Sequence, residues 1–157
     1  MKIVIPAAVA LSLLAGCSAH ESTSATQATQ ASTVTITDQW AKSAPDGSMT
    51  SVFGTVHNNG SSEARIVSAT SPAARSVELH EVTPGGLMRP KEGGVAIPAN
   101  GEHKLSPGGD HVMLMGLTTP LRPGQDVVIT LAFQDGSTKP LTAQIRDFAG
   151  GNENYQP

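Results

Sequence analysis

The sequence predicts an all-β domain built as an antiparallel β-sandwich or barrel. From residue 33 onward the chain is a series of short segments rich in β-branched residues, separated by Gly, Pro, Asn and Asp. Several segments alternate apolar with polar residues, which is the period of a half-buried strand. No segment after the N-terminal region shows a helical period over three turns. Many short strands at this spacing favour a sandwich or barrel.

The predicted strands follow one another from residue 33 to residue 148. Val34 and Ile36 alternate with threonines in the first strand, and Val127, Ile129 and Leu131 share one face of the last but one. The predicted strands are TVTITDQW (33–40), MTSVFGTVHN (49–58), ARIVSAT (64–70), RSVELHEV (75–82), a short strand at 95–97, HVMLMGL (111–117), DVVITLAF (126–133) and LTAQIRDF (141–148).

Residues 1–16 are predicted to be a lipoprotein signal peptide. A basic start at Lys2 precedes an apolar run over residues 3–14, which is too short to span a bilayer comfortably. The run ends in Leu-Ala-Gly-Cys, which resembles the lipobox of bacterial lipoproteins. This resemblance implies cleavage before Cys17 and a diacylglyceryl group on its sulfur. An ordinary secretory signal with an incidental cysteine is the alternative.

The remaining chain is predicted to contain one folded domain at residues 33–148. Residues 17–32 are rich in Ser, Thr, Ala and Gln and contain no large apolar residue, which is typical of a flexible tether. Residues 149–157 are polar and are predicted to form a loose C-terminal tail. We find no internal repeat.

Charge and cysteine content exclude several classes of function. The net charge is −3 with histidine neutral, and no cluster of Lys and Arg offers a basic surface, so no nucleic-acid partner is predicted. Cys17 is the only cysteine, so the mature domain has no disulfide. A blue-copper electron-transfer site needs a cysteine thiolate inside the fold, and none is present.

Residues 75–117 contain three of the five histidines and three of the five methionines. Imidazole and thioether groups both bind metals, and thioethers select soft Cu(I). His111 and Met113 share one face of their predicted strand, and His80 points away from the apolar residues of its own. After a Pro-Gly-Gly turn, Met88 can fold back towards His80. Our hypothesis is that these four residues form a copper site at one end of the sandwich.

Packing is the alternative interpretation of the same residues. Methionine is a common core residue, so Met113 packing beneath an exposed His111 is the competing explanation. Met115 is predicted to lie in the core beneath the site. His20, His57 and His103 are predicted to face solvent, and Met49 could lie near either end of the sandwich. None of these four residues is predicted to bind metal.

No sequence pattern indicates catalysis. The chain has no nucleophile elbow, HExxH, Walker or dinucleotide-binding sequence. Acidic residues near the histidines form no recognisable acid–base pair, although Asp110 could restrain His111. We therefore predict that the protein is not an enzyme.

The candidate residues and their flanks resemble the PCu(A)C family of extracytoplasmic copper chaperones. VELHEV contains His80, MRPKEGG contains Met88, and PGGDHVMLMGL contains His111 and Met113. IPANGEHKLSPGGDH and LMGLTTPLRPGQ also resemble the family, and the similarity covers roughly residues 35–146. The resemblance implies a cupredoxin-like β-sandwich with these four residues as metal ligands. The gap between His80 and Met88 is shorter than is usual in the family.

The resemblance also implies a function. Family members bind Cu(I) and deliver it to the CuA centre during assembly of cytochrome c oxidase, so the implied partners are the CuA-bearing subunit and another copper chaperone. The protein would be extracytoplasmic and held to the membrane only through lipidated Cys17. Transfer would need at least one ligand within reach of solvent. The alternatives are a copper-sequestering or resistance lipoprotein without a dedicated acceptor, and a metal-free β-sandwich binding lipoprotein.

Overall fold

The structure is a computed structural model that describes residues 28–150 and the backbone of residues 154–155. The predicted signal peptide and Cys17 lie outside the described residues, as does most of the predicted tether. The described elements are α1 (Gln30–Thr33), β1 (Val34–Lys42), β2 (Thr50–Asn58), β3 (Ala64–Thr70), β4 (Ala74–Val82), β5 (Leu87–Pro90), β6 (Val95–Ile97), β7 (Gly101–Leu105), β8 (His111–Leu117), β9 (Asp126–Phe133), β10 (Thr138–Arg146) and β11 (Asn154–Tyr155).

The strands form one hydrogen-bonded path that confirms the predicted all-β, cupredoxin-like sandwich. Their order is β11-β5-β4-β8-β2-β1-β10-β9-β3-β6, and β7 also pairs with β2. β1 joins the two halves of the sandwich, because it runs antiparallel to β2 and parallel to β10. β5 and β11 are also parallel, so the sandwich is not purely antiparallel.

An aliphatic core lies between the two halves. In β9 the alternation predicted from the sequence is observed, since Val127, Ile129, Leu131 and Phe133 are all buried. Burial of such side chains contributes most of the stabilising free energy, at about 25 cal/mol per Å² of apolar surface. Of the residues that the structure describes, those in this core cluster include no methionine.

Two short strands, β5 and β7, were not predicted. The segments Leu87–Pro90 and Gly101–Leu105 are short and lie next to Gly and Pro, so their sequence alone is typical of turns. They are extended because they pair with longer strands: β5 with the end of β4, and β7 with β2. β5 thereby carries Met88 to the edge of β4.

The last residues of the predicted tether form α1 and pack on the domain. Thr29 caps the helix by accepting a hydrogen bond from Ser32 N–H at 3.3 Å, and Ala31 is buried. Gln30 N–H donates to Asp135 Oδ2 at 2.7 Å. Hydrogen bonds from Ser137 foremost, and from Gln30, hold the pKa of Asp135 below its usual value. None of the helices that the structure describes is long and apolar enough to cross a membrane.

Adjacent glycines at the start of β6 provide a test of the packing. Gly93 and Gly94 both have positive φ, +74° and +75°, but only a Cβ on Gly94 would overlap the Ile66 carbonyl oxygen. We expect Gly93→Ala to lower the free energy of unfolding by about 1–2 kcal/mol through the left-handed conformation alone. Gly94→Ala should lower it by about 3 kcal/mol or more. Urea unfolding of both variants measures the difference, and equal losses would contradict the packing described here.

Candidate metal centre

Pairing between β4 and β8 places His80 directly opposite His111. Both rings are buried, with 0 % and 2 % of their surface exposed. Their ring centres are 5.7 Å apart and their planes are inclined by 64°. The two imidazoles predicted as ligands therefore come from strands 31 residues apart in sequence and meet at one point of the sheet.

The separation of the two rings suits a shared metal ion. An ion about 2.0 Å from an imidazole nitrogen lies about 3 Å from the centre of that ring. Two rings that share an ion then have centres up to about 6 Å apart, and the observed 5.7 Å lies within this limit.

Hydrogen bonds to the rings select which nitrogen of each carries a lone pair. His111 Nδ1 lies 2.9 Å from the Gly109 carbonyl oxygen, and His80 Nε2 lies 3.0 Å from Glu78 Oε2. Carbonyl and carboxylate oxygens only accept, so in the neutral rings these nitrogens carry the protons. His111 Nε2 and His80 Nδ1, both buried, therefore hold the lone pairs that a metal ion needs.

The two predicted thioether ligands lie beside the rings. Met113 follows His111 by two residues, on the same face of β8, and its cross-strand partners are Glu78 and Ser51. Ser51 Oγ donates to Met113 Sδ at 3.7 Å. Val82 lies two residues beyond His80 on the same face of β4. Met88 of β5 pairs with Val82, so Met88 lies on this face as well. Both methionines have 3 % of their surface exposed.

Aromatic side chains lie beside the candidate ligands, on the same face of the sheet. Phe53 is buried with its ring centre 6.0 Å from that of His111. Trp40 packs on Phe53 at 4.7 Å and on Phe148 at 5.1 Å. We call this side, opposite the aliphatic core, the outer face. On it the buried imidazoles and thioethers share an apolar environment, which strengthens polar interactions by lowering the local dielectric constant.

A charged network fastens β5 beside the site. Lys91 Nζ lies 2.9 Å from Glu81 Oε2 and 3.3 Å from Asp110 Oδ2, and Arg89 also donates to Glu81. Hydrogen bonds from Lys91 first, and from Arg89, lower the pKa of Glu81. Burial opposes the charge on Lys91, but its bonds to Glu81 and Asp110 outweigh burial and raise its pKa. These ion pairs hold the strand that carries Met88 against β4.

The C-terminal segment also reaches β5. In the described part of that segment, Lys42 Nζ donates to the Gly150 carbonyl oxygen at 2.7 Å. The backbone of β11 then runs parallel to β5, with Tyr155 in register with Met88. Residues predicted as a loose tail therefore extend the sheet at the edge next to the candidate site.

Two expectations about burial were wrong. At least one ligand was expected to be exposed, but all four are buried, with at most 3 % of their surface exposed. His111 and Met113 are therefore buried, although both lie outside the main aliphatic core. Met115 was predicted to be core beneath the site, but it is partly exposed and also lies outside that core.

The other histidines in the described residues contact side chains away from the candidate site. His57 lies in β2 and contacts Thr37 Oγ1 at 3.0 Å and Glu102 at 3.3 Å. His103 Nε2 lies 2.9 Å from Asp110 Oδ2, so Asp110 restrains His103. His20 lies outside the described residues.

Sequence reasoning missed two residues that touch the candidate ligands. Glu78 contacts His80, and Ser51 contacts Met113. Strand alternation could have found Glu78, which lies two residues before His80 on the same face. Ser51 depends on the register between β2 and β8, which no local pattern of the sequence reveals. In the described part of the chain no three His, Cys, Asp or Glu side chains are grouped to hold a metal.

Comparison with known sequences identifies the family. The sequence model of the family described as "Putative lipoprotein LpqE-like" matches residues 34–145, which is most of the folded domain. The chain belongs to this LpqE-like family. It is also 48% identical over 147 residues to the "Putative lipoprotein Lxx21020" of Leifsonia xyli subsp. xyli, covering 91% of this chain and 88% of that protein.

Solved structures share the fold. A copper-bound PCuAC domain from PmoF2 aligns with a TM-score of 0.64 and 20% identity, over 74% of this chain and 94% of that domain. The solution structure of apo-DR1885 from Deinococcus radiodurans aligns with a TM-score of 0.56 and 32% identity, over 97% of this chain and 100% of that one. The Cu(I) form of the same protein aligns at 0.55 and 33%, over 74% and 82%. The resemblance predicted from the sequence is thus confirmed for family and fold.

The packing of Met113 provides a test without metal. Met113→Ala should lower the free energy of unfolding of the metal-free protein by about 2–5 kcal/mol, because it leaves a cavity on the outer face. Met113→Leu keeps the volume and should cost less than about 1.5 kcal/mol. Urea denaturation compares the two variants. A negligible loss for Met113→Ala would mean that this side chain is not packed as described.

Proposed function

We propose that this protein binds one Cu(I) ion through His80, Met88, His111 and Met113. The observation that carries the proposal is the meeting of two buried imidazoles, 5.7 Å apart, on the sheet face that also holds the two buried thioethers. In this proposal the ion is bound by the lone-pair nitrogens inferred from the contacts of Glu78 and the Gly109 carbonyl.

The donor set matches the chemistry of Cu(I). Soft thioethers select Cu(I) over hard cations, and imidazole binds copper in either oxidation state. Thioethers need no deprotonation, and a neutral imidazole binds a metal ion through its unprotonated nitrogen. The site contains no thiol, so it can bind copper in an oxidising compartment, where a free cysteine would be oxidised.

The solved relatives support the metal assignment. The 33% identical Deinococcus protein has been described in a Cu(I) form, and the PmoF2 domain in a copper-bound form. Both have the sandwich that brings β4 and β8 together in this chain. The protein acts, in this proposal, as a copper carrier and not as an enzyme.

Its proposed location is the outside of the cytoplasmic membrane or an equivalent extracytoplasmic surface. The LpqE-like family and the Leifsonia relative are both described as putative lipoproteins. Lipidation of Cys17 would hold the domain close to a membrane, which raises its effective concentration near membrane-bound partners.

The proposed acceptor is the CuA-bearing subunit of cytochrome c oxidase, directly or with another copper chaperone. A site of two neutral thioethers and two imidazoles holds Cu(I) less tightly than a cluster of thiolates, so transfer to a thiolate-rich centre is downhill. Storage without an acceptor is the second candidate, and the complete burial of all four ligands favours it.

Titration with Cu(I) under a competing chelator tests the metal site. We expect one equivalent to bind, and X-ray absorption to show two nitrogen and two sulfur neighbours. Met113→Leu should remove one sulfur and weaken binding on the order of tenfold or more. His57→Ala, a histidine outside the cluster, is the matched control and should bind as the parent does. No binding at one equivalent would reject both copper functions.

Mixing the Cu(I)-loaded protein with an apo CuA domain distinguishes delivery from storage. If the protein is a carrier, the acceptor should gain two Cu(I) ions, and one-electron oxidation of the filled centre by an added oxidant should produce the absorption bands of CuA. A mock acceptor whose metal-binding cysteines are replaced by serine is the control. Copper that stays on the donor, while a small chelator can still remove it, would favour storage.

A further inference from the structure

All four methionines in the described residues lie on the outer face. Met113 and Met115 alternate with core residues along β8, and Met88 is beside β4. Met49 precedes Ser51 by two residues, and Ser51 is the cross-strand partner of Met113. The aliphatic core described above, where methionine is ordinarily a common filler, holds none. The methionines on the outer face therefore have a role other than filling the core between the sheets.

Two of these methionines continue the line of the buried site. Met115 lies two residues beyond Met113 on the same face, about 6.7 Å along the strand. The Ser48 carbonyl oxygen accepts from Leu117 N–H at 2.9 Å, so pairing with β8 continues past Thr50. Met49 therefore lies opposite the Met115–Gly116 step, where two residues face one as in a β-bulge. We call Met49 and Met115 the outer methionine pair.

Exposure increases along this line. Met113 is 3 % exposed, Met115 is partly exposed, and Met49 is 44 % exposed. At most 3 % of the surface of each buried ligand is exposed, so an ion needs a path to reach these ligands. The outer methionine pair is the part of the line that solvent, a chelator or a partner protein can contact.

We propose that the outer methionine pair is a second, weaker Cu(I) site through which copper enters and leaves the buried site. The proposal rests on the proposed function of the buried site. Copper would be held by the sulfurs of Met49 and Met115 and would pass to Met113 by exchange of one thioether for another. Three rotatable bonds in each methionine allow the sulfurs to bridge the spacing of the strand.

The transfer is a simple ligand exchange. One copper–sulfur bond forms as another breaks, the ion stays Cu(I), and neither a proton nor an electron moves, because thioethers are neutral ligands without an ionisable hydrogen. Two thioethers bind less tightly than the full set of four ligands, so the outer pair holds copper briefly and the buried site retains it at equilibrium.

The test compares exchange rate with affinity in the full-length chain, kept in detergent micelles. Met49→Leu/Met115→Leu conserves volume, and Val67→Leu changes an equally exposed apolar residue, 46 % exposed, on β3. Affinity is measured by anaerobic Cu(I) titration and exchange by stopped-flow transfer to a chromogenic Cu(I) chelator. Methionine methyl resonances, assigned by single substitutions, report where each equivalent binds, and urea unfolding confirms that each variant is folded.

The first equivalent should bind the double variant with affinity within about threefold of the parent, while transfer slows by about tenfold or more. In the parent, a second equivalent should shift the methyl resonances of Met49 and Met115. Exchange at the parental rate, or no shift of these two resonances, would overturn the outer pair and leave the buried site standing. If the first equivalent does not bind even the parent, the proposed function fails and this route fails with it.

Discussion

The register between β4 and β8 is the constraint on which the rest of the outer face depends. It sets His80 against His111, and the same ladder sets Glu78 against Met113 and Ser76 against Met115. A slip by one residue would turn every one of these side chains to the other side of the sheet. The aliphatic residues on the inner side of both strands make such a slip costly, because it would bring imidazole and carboxylate groups into the core. The core therefore fixes the geometry of a site that it does not touch.

Because one side of each strand faces the core and the other side lies on the outer face, the strands tolerate buried polar residues. β8 is buried on both sides, with Val112 and Leu114 in the core and His111 and Met113 on the outer face. The buried polar atoms on the outer face contact specific partners. The His111 ring contacts the Gly109 carbonyl oxygen, and the Met113 sulfur accepts from Ser51. Such contacts offset the cost of burying polar groups and hold the side chains in one orientation.

Much of the fold could be predicted from local patterns. Alternation of apolar and polar residues predicted β3, β6, β8 and β9 at their observed bounds. The four candidate ligands were recognised because histidine and methionine residues occur together beside turn sequences. β5 and β7 could not be predicted, because each is extended only through its partner strand. Burial of the ligands was missed for a related reason. Phe53 packs beside His111, and Trp40 packs on both Phe53 and Phe148, but no local pattern of the sequence shows that these rings converge.

The capped turn at Thr29 has a consequence for the geometry of docking. Because α1 is bound to Asp135 and buries Ala31, the domain begins near residue 28, not at residue 33. On the proposed anchoring at Cys17, only about ten residues separate the lipid from the domain, and a fully stretched chain of that length reaches about 35–40 Å. The start of the domain then stays within about 40 Å of the bilayer, so a partner must present its receiving surface within that reach plus the width of the domain.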